Sequence, residues 1–496
     1  MKLSAVLRII EEKGLKFSLE GEGKKKDPCV SEVFSDSRKV VPGSIFCCIC
    51  GEKNDGHDYI PLVEQAGAVA LVCERPVKTD LPVILVDSTR RIMGELASAV
   101  YEDPTAKLLM VGVTGTNGKS TTTYILRSIL QTAGYRTGLL GTIVESDGIR
   151  ERDAERTTPE SCDIQRQLAT MLRNGCSACV METSSHGLQL GRLSGCRFDI
   201  LLFTNLNPEH LDFHKDMESY FQAKRLLFTE HGKEGRVAVV NSDDPYGVRL
   251  RQEFPDARTF GANDVLNPYL GMEGSSFTIR TGSCENEKTP AFRIESPLVG
   301  NFNVMNVLAA VAALKGRFDN ATIMKGVAAV SQVPGRMERH ELPNGACCII
   351  DFAHTPEALR NVLSTVRDFC AGRLISVFGH GGGRYPMNRP ALGDVAATLA
   401  DIILVTMDNP RDEDPAKIAE SIVEGIEAHD RKQGKYTKYQ IVLDRKEAIC
   451  TALSVAGPKD VLVVSGKGPE KFLTIKDRKI PYSDAETVEE WKRLAK

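Results

Sequence analysis

The stretch Val113–Thr123, VTGTNGKSTTT, decides the fold, because it reads either as a phosphate-binding loop or as a glycine-rich turn. The common phosphate loop is G-x-x-x-x-G-K-[ST], and counting back from Gly118 puts Val113 where the first glycine belongs. The glycines stand instead at Gly112, Gly115 and Gly118. The flanks favour the phosphate loop. LLMVGV (108–113) is an apolar strand, and KSTTTYILRSILQTAG (119–134) carries Ile125, Leu126, Ile129, Leu130 and Ala133 at helical spacing. A strand, a glycine loop and a helix in that order bring backbone N–H groups and the positive end of a helix dipole to a phosphate. Lys119 would neutralise β/γ-phosphate charge, and the Ser120 hydroxyl would ligate Mg²⁺. The expectation is an ATP site.

Outward from that loop, short apolar runs alternate with helical stretches, the sign of parallel sheets covered by helices. An amphipathic first helix (Leu3, Val6, Leu7, Ile10) precedes a first region with candidate strands in SIFCCICGE (44–52), AVALVCE (68–74) and PVILVDS (82–88). A break falls at YEDPTAK (101–107). The middle region continues through ACVMETSSHG (178–187), FDILLFTNLN (198–207) and RVAVVNSDD (236–244) to SQVPGRME (331–338), where Pro334-Gly335 suggests a hinge. The third holds ACCIIDFAHTP (346–356), LISVFGHGGG (374–383), DIILVTMDNPR (401–411), QIVLD (440–444) and VLVVSGKG (461–468). GEGKKKDP (21–28) and GSCENEKTP (282–290) read as surface loops. Strand after strand ends in polar, glycine-rich residues, and ligands of open parallel sheets bind outside those carboxyl ends.

The bulk numbers agree with this organisation. A chain of 496 residues suggests about three domains. Its 42% apolar and 26% charged content is that of a soluble globular protein, and a net charge of −3 gives no reason to expect a nucleic-acid partner. No run of about 18 apolar residues predicts a membrane span, and the amino terminus turns acidic too soon for a secretory signal. Fourteen scattered cysteines, several adjacent as in FCCIC, read as buried strand positions in a reducing cytoplasm. Cys176 and Cys179 form a lone C-x-x-C with no second pair at zinc spacing.

GTNGKST (115–121) resembles the ATP loop of the Mur ligase superfamily. The likeness runs through DSR (36–38), RTTPES (156–161), METSSHGL (181–188), FTNLNPEHLDFH (203–214), YFQAKRLLF (220–228), GNFNVMN (300–306), PGRME (334–338), DFAHTPEAL (351–359), DNPRDEDP (408–415) and GKGPE (466–470). That order is similar to the MurE family, cytoplasmic ligases that add a diamino acid to UDP-N-acetylmuramoyl-L-alanyl-D-glutamate in peptidoglycan precursor synthesis. The resemblance implies three α/β domains: 1–106 binding the UDP-sugar, a central P-loop parallel-sheet ATPase domain at 107–334, and a Rossmann-like amino-acid-binding domain at 335–496. It also implies a monomer whose partners are ATP, UDP-MurNAc-L-Ala-D-Glu and meso-diaminopimelate, with no nucleic acid and no membrane.

By the same resemblance, Gly115, Thr116, Asn117, Gly118, Lys119, Ser120, Thr121, Asn303, Arg336, Asp351 and His354 bind ATP. Ser120, Glu182, His210 and Lys224 hold Mg²⁺, Lys224 as a carbamate made with CO₂, and Lys119, Glu182, His210 and Lys224 are catalytic. Ser37, Glu52, Lys53, Asn54, Thr157, Thr158, Ser184 and Arg192 contact the UDP-MurNAc-dipeptide. Arg384, Asp408, Asn409, Pro410, Arg411, Gly466 and Glu470 receive diaminopimelate. Read without the family, Lys224 passes for a solvated helix lysine, His210 for a surface histidine, Glu182 for a helix cap, Ser184 for a strand-end cap and Asp351 for a strand-end acceptor. Arg411 passes for a helix-start arginine paired with Asp412 or Glu413.

The DNPR arginine points to diaminopimelate over L-lysine, because its fork can take the second carboxylate that lysine lacks. Selectivity of about 10⁴ is reachable by that route. Three departures from the family pattern stand beside it. Leu190 occupies a common glutamine position, with Gln189 adjacent; GHGGGRYPMNRP (379–390) lacks both family aspartates at Gly383 and Tyr385, with Asn388 in place of a lysine; and Pro469 replaces a frequent histidine. A lysine-adding ligase is the nearest alternative. Further off stand the MurF step, a folate-polyglutamate ligase, and an inactive nucleotide-binding regulator.

Overall fold

The computed structural model describes residues 1–51, 54–280 and 291–495. The chain forms two compact units, one holding Met1–Val265 and Met305–Val327, the other Leu266–Ile279, 291–304 and Ala328–Lys496. Three mainly parallel sheets with helices against them make the architecture α/β, as the alternating pattern predicts.

In the first unit, a five-stranded sheet runs in spatial order Ser18–Glu20, Val83–Leu85, Ala68–Cys73, Ser44–Cys47, Glu32–Phe34, antiparallel only at its first pair. Its strands alternate between two buried faces. Ile45, Cys47, Ala70 and Val72 pack with Leu3, Val6, Leu7 and Ile10 of the first helix and with Ile92, Met93 and Leu96; Phe46, Cys48, Leu71 and Cys73 pack with Ile60 and Val63. The FCCIC run is therefore buried through Cys48, but Cys50 is exposed.

The second sheet of this unit has eight strands in the order Arg258–Phe260, Gly232–Asn241, Phe198–Phe203, Leu109–Thr114, Ala178–Glu182, Thr137–Leu140, Val144–Ser146, Glu151–Asp153. The first six run parallel, and the last two pairings are antiparallel. Leu109–Thr114 is buried along its whole length and sits near the middle, so the loop that follows it opens between strand ends.

In the second unit, six strands follow the order Glu338–Glu341, Cys347–Asp351, Val461–Ser465, Leu374–Phe378, Ile402–Val405, Lys438–Ile441, parallel except at the first pair. The polar ends of Cys347–Asp351, Val461–Ser465, Leu374–Phe378 and Ile402–Val405 point the same way, which gathers four of the predicted turns. A small sheet of Val265–Gly271, Gly274–Ile279 and Phe292–Ser296 was not foreseen. Nor was the ribbon of Phe472–Ile475 and Arg478–Pro481. Of the two expected surface loops, 21–28 consists of turns and irregular chain, and 282–290 lies outside the described residues. Among the described residues no helix is long and apolar enough to cross a membrane.

Candidate functional site

The loop after Leu109–Thr114 is shaped by its glycines. Gly115 and Gly118 have φ of +144° and +85°, and a Cβ on Gly115 would collide with the Thr204 hydroxyl. Thr204 Oγ1 in turn donates to Asn117 O at 2.7 Å, while Thr116 N donates to Asn205 O at 2.8 Å and Asn117 N to Asn205 Oδ1 at 2.9 Å. The TNLN segment after the neighbouring strand thus braces the loop from one side. The helix Lys119–Thr132 starts immediately after Gly118, which directs its free N–H groups at the loop.

Two lysines converge on one carbonyl. Lys119 Nζ donates to Gly115 O at 3.0 Å and Thr116 O at 2.7 Å, and Lys224 Nζ donates to Gly115 O at 2.7 Å. Lys224 is 1% exposed, so the solvated-lysine reading of its helix, Met217–Glu230, fails. Its Nζ also sits 4.5 Å from the centre of the Tyr220 ring. Burial, with the charge of Lys119 beside it, holds the Lys224 ammonium well below its usual range, against a smaller opposing pull from Glu209.

Glu182 ends the strand Ala178–Glu182 and is 1% exposed. It does not cap a helix: Thr142 N and Oγ1 donate to its two oxygens at 2.8 and 2.9 Å. These neutral donors do not compensate a buried negative charge, and a cation would. His210 has a left-handed backbone, φ +55°, and a partly exposed side chain 3.8 Å from Glu209. Its imidazole is pushed down to about 4 by burial, with His186, Lys119 and Lys224 adding to the fall and Glu209 opposing it. His210 is then a neutral donor at neutral pH. Lys224 as a neutral amine fits carbamate formation. Of these groups, the Glu182 carboxylate and the Ser120 hydroxyl are oxygen donors of the kind that suit Mg²⁺.

Sequence reasoning did not single out the ring cluster around these groups. His186 stacks on Phe213 at 4.2 Å and meets His210 edge-on at 4.8 Å; His214 stacks on Tyr220 at 4.9 Å and pairs with Ser185 Oγ at 2.9 Å. The signal was present in SSHG and HLDFH, where histidines recur beside the candidate ligands.

The dipeptide candidates fall on one connected network. Thr157 and Thr142 hydroxyls lie 3.1 Å apart; Thr158 Oγ1 donates to Glu182 O and accepts from Ser184 N and Oγ at 3.0 Å each. Ser184 also caps the short helix Ser185–Gln189, accepting from Gly187 N, where its local reading expected a strand-end cap. Arg192 reaches Thr158 O at 3.2 Å and Glu160 at 3.2 Å. Gln189 is exposed at the end of that helix, beside Leu190. Ser37 opens a three-residue turn capped by Asp36, Asn54 is exposed, and Glu52 and Lys53 lie outside the described residues.

Asn303, Arg336, Asp351 and His354 belong to the second unit. Asn303 is buried and donates to Val299 O at 2.8 Å. Asp351 behaves as its bland reading foresaw, accepting from Met337 N and Ala353 N at 2.8 Å each. Burial raises its carboxyl from the usual range, against the pull of Arg336. Arg336 lies over the Phe352 ring at 4.8 Å, and His354 Nδ1 is 3.0 Å from Phe352 O.

The DNPR turn follows the strand Ile402–Val405. Asn409 is its buried keystone: Nδ2 donates to Glu470 at 2.9 Å, while Oδ1 accepts from Lys467 Nζ at 3.1 Å and Thr474 N at 2.8 Å. Lys467 has no exposed surface and also pairs with Glu470 at 2.6 Å. Gly466, with φ +114°, lets Asp408 approach to within what a Cβ would occupy. Arg411 adopts φ +51° and donates to Gly382 O, so it is not the helix-start ion pair of its bland reading. Glu413 is engaged elsewhere, by Arg389 at 2.7 Å and Gly383 N at 2.6 Å. That carboxylate, with Gly382 N donating to Asn409 O at 3.0 Å, braces the altered loop that presents the exposed Arg384. The bracing comes from the DNPRDE side, which explains how a loop without aspartates keeps its place.

Comparison with known proteins fits this geometry. Three family models match: the Mur ligase family catalytic domain over residues 30–101, the Mur ligase middle domain over 113–314, and the Mur ligase glutamate ligase domain over 335–468. The UDP-N-acetylmuramoyl-L-alanyl-D-glutamate--2,6-diaminopimelate ligase of Geobacter metallireducens is 40% identical, with 98% of each chain aligned. The enzyme of that name from Gloeobacter violaceus is 42% identical over 93% of each chain. A solved structure of a ligase of the same name is 28% identical and superposes with a TM-score of 0.65, covering 94% of this chain and 95% of its own. With three family models in order along the chain and relatives at 40% identity or more over most of its length, the chain belongs to the Mur ligase family.

Proposed function

We infer that the chain is an ATP-dependent ligase that joins meso-diaminopimelate to the D-glutamate of UDP-N-acetylmuramoyl-L-alanyl-D-glutamate, in cytoplasmic peptidoglycan precursor synthesis. The relatives at 38–42% identity carry this activity in their names. A carboxylate oxygen of D-glutamate attacks the γ-phosphorus of ATP, ADP leaves, and an acyl phosphate forms. The amine of the incoming residue attacks the acyl carbon, the tetrahedral intermediate expels phosphate, and the amine proton passes to solvent.

The loop Gly115–Thr121 would hold the phosphates with its N–H groups, Lys119 exchanging its carbonyl partners for phosphate oxygens. Mg²⁺, when bound, supplies charge neutralisation between ATP and the acceptor carboxylate. Ser120, Glu182, His210 and carbamylated Lys224 would hold it, and Asn303, Arg336, Asp351 and His354 would complete the nucleotide contacts. Residues 1–106, through Ser37, Glu52, Lys53 and Asn54, would take the uridine end; Thr157, Thr158, Ser184 and Arg192 of 107–334 would take the muramoyl-dipeptide. Residues 335–496 would seat diaminopimelate on Arg384, Asp408, Asn409, Pro410, Arg411, Gly466 and Glu470. The working form is a monomer.

The observation that carries the choice of amino acid is Arg411. Its guanidinium meets a carbonyl while Glu413, the acid two residues on, is taken by Arg389. A second carboxylate on the substrate would complete that fork; L-lysine would leave it facing none. The test follows phosphate release from ATP, Mg²⁺ and UDP-MurNAc-L-Ala-D-Glu with either amino acid. Strong preference for diaminopimelate is expected. Arg411→Ala should lower kcat/KM for it by about a hundredfold or more, at about 1.5–3 kcal/mol per charge-assisted bond. Preference for lysine in the unaltered enzyme would overturn the assignment.

A further inference from the structure

The thiols of Cys48 and Cys73 play no part in the chemistry above. Cys73 ends the strand Ala68–Cys73, and Cys48 follows its parallel neighbour Ser44–Cys47, whose register pairs Cys47 with Val72. The next pair along is therefore two cysteines side by side. Neither has any exposed surface, and their sulfurs are 3.8 Å apart. His57, also buried, enters from the turn Gly56–Tyr59, and a ring nitrogen and both sulfurs lie within 4.8 Å of one another.

The ring is already oriented. His57 Nδ1 lies 2.6 Å from Asp55 Oδ1, an acceptor, so Nδ1 carries the proton and donates. The lone pair is then on Nε2, where it accepts from Glu74 N, the residue after Cys73, at 3.3 Å, a bond that a metal would replace. Arg75 holds the other Asp55 oxygen at 2.7 Å. A carboxylate on one imidazole nitrogen, leaving the other as an electron-pair donor, is how histidine ligands are commonly set on metal ions. Around zinc with Zn–S of about 2.3 Å, two sulfurs of a tetrahedron stand about 3.8 Å apart, the separation found here. Two sulfurs and one imidazole nitrogen select a thiophilic ion over Mg²⁺ or Ca²⁺.

We propose that Cys48, Cys73 and His57 Nε2 bind one zinc ion within the N-terminal sheet. Each thiol gives up its proton to solvent as its sulfur pair forms a bond to the metal, so one Zn²⁺ enters and two protons leave. The spacing, eight residues between Cys48 and His57 and fifteen between His57 and Cys73, matches no familiar zinc signature; strand register, not sequence proximity, assembles the ligands.

Reduced, metal-free protein titrated with Zn²⁺ against a chromophoric chelator, in excess Mg²⁺, should bind one equivalent and release two protons. Co²⁺ in place of zinc should give thiolate-to-metal charge-transfer absorption, which the histidine cluster near Lys224, having no thiol, does not produce. A Cys48→Ala/Cys73→Ala variant should bind at least a hundredfold more weakly, while Cys47→Ala and Cys50→Ser retain the site. Zinc uptake unchanged in the double variant overturns the proposal. So does the absence of thiolate absorption in the cobalt form of the unaltered chain, a result independent of whether any variant folds.

Discussion

Lys224 shows what a single residue's surroundings add to its sequence. In SYFQAKRLLF it sits at a position any solvated lysine could fill, yet the fold buries it against Gly115 O and the Tyr220 ring, near Lys119. Two ammonium groups sharing one carbonyl are mutually destabilising, and conversion of one to a carbamate turns the repulsion into an ion pair. Phosphate release should therefore depend on dissolved CO₂. Enzyme assayed in CO₂-free buffer should lose activity that bicarbonate restores, and Lys224→Ala should be inactive in both. A full rate without CO₂ would remove the carbamate from the mechanism. Sequence alone conveyed the residues whose role is written in a local loop, such as Lys119 and Ser120. It conveyed Glu182 and Lys224 only through family likeness, because burial is made by distant chain. The bland pairing of Arg411 with Glu413 fails for the same reason: Glu413 is closer in sequence, but Gly382 is closer in space.

Among elements, the central strands were legible because burial on both faces demands unbroken apolar runs such as LLMVGV and VLVVSG. Glu151–Asp153 and Arg478–Pro481, exposed along their whole length, carry no such pattern and exist only through pairing with a neighbour. Helix packing was equally hidden. Asn388–Leu399 and Pro415–Gln433 approach so closely that a Cβ on Gly393 would strike Ile422 O, and one on Gly425 would strike Pro390 O. These helices flank the strand Ile402–Val405 and the DNPR turn in sequence, so their spacing fixes where Arg384 and Arg411 are presented. Gly425→Ala should lower stability by about 1–3 kcal/mol through overpacking, read as a lower urea midpoint. It should also raise KM for diaminopimelate more than for ATP. An unchanged midpoint would mean that the helix pair tolerates separation.

Over the whole molecule, the buried histidines set how the fold responds to acid. Burial pushes His231 and His380 down to about 4, and it does the same to His210 and His214 near the phosphate loop. Their unfolded value is about 6.5, so between these limits the unfolded chain binds protons that the native state does not. Stability from these groups is complete above about pH 6.5 and is lost as pH falls towards 4. His340 acts in the opposite sense: burial lowers it, but hydrogen bonds to Glu338 and Glu489 outweigh that and raise it. Burial lowers His186 as well, and one raised group does not offset five lowered ones. By linkage, His231 and His380, both buried, each contribute about 1.4 kcal/mol per pH unit inside the window. The urea midpoint should therefore fall clearly between pH 7 and pH 5, before ordinary carboxylates titrate. His231→Gln, keeping a donor for Cys196 O at the place where Nδ1 lies 3.2 Å away, should make that fall shallower. Equal midpoints at the two pH values would show that these imidazoles are hydrated in solution and that the site near Lys224 is wetter than its packing implies.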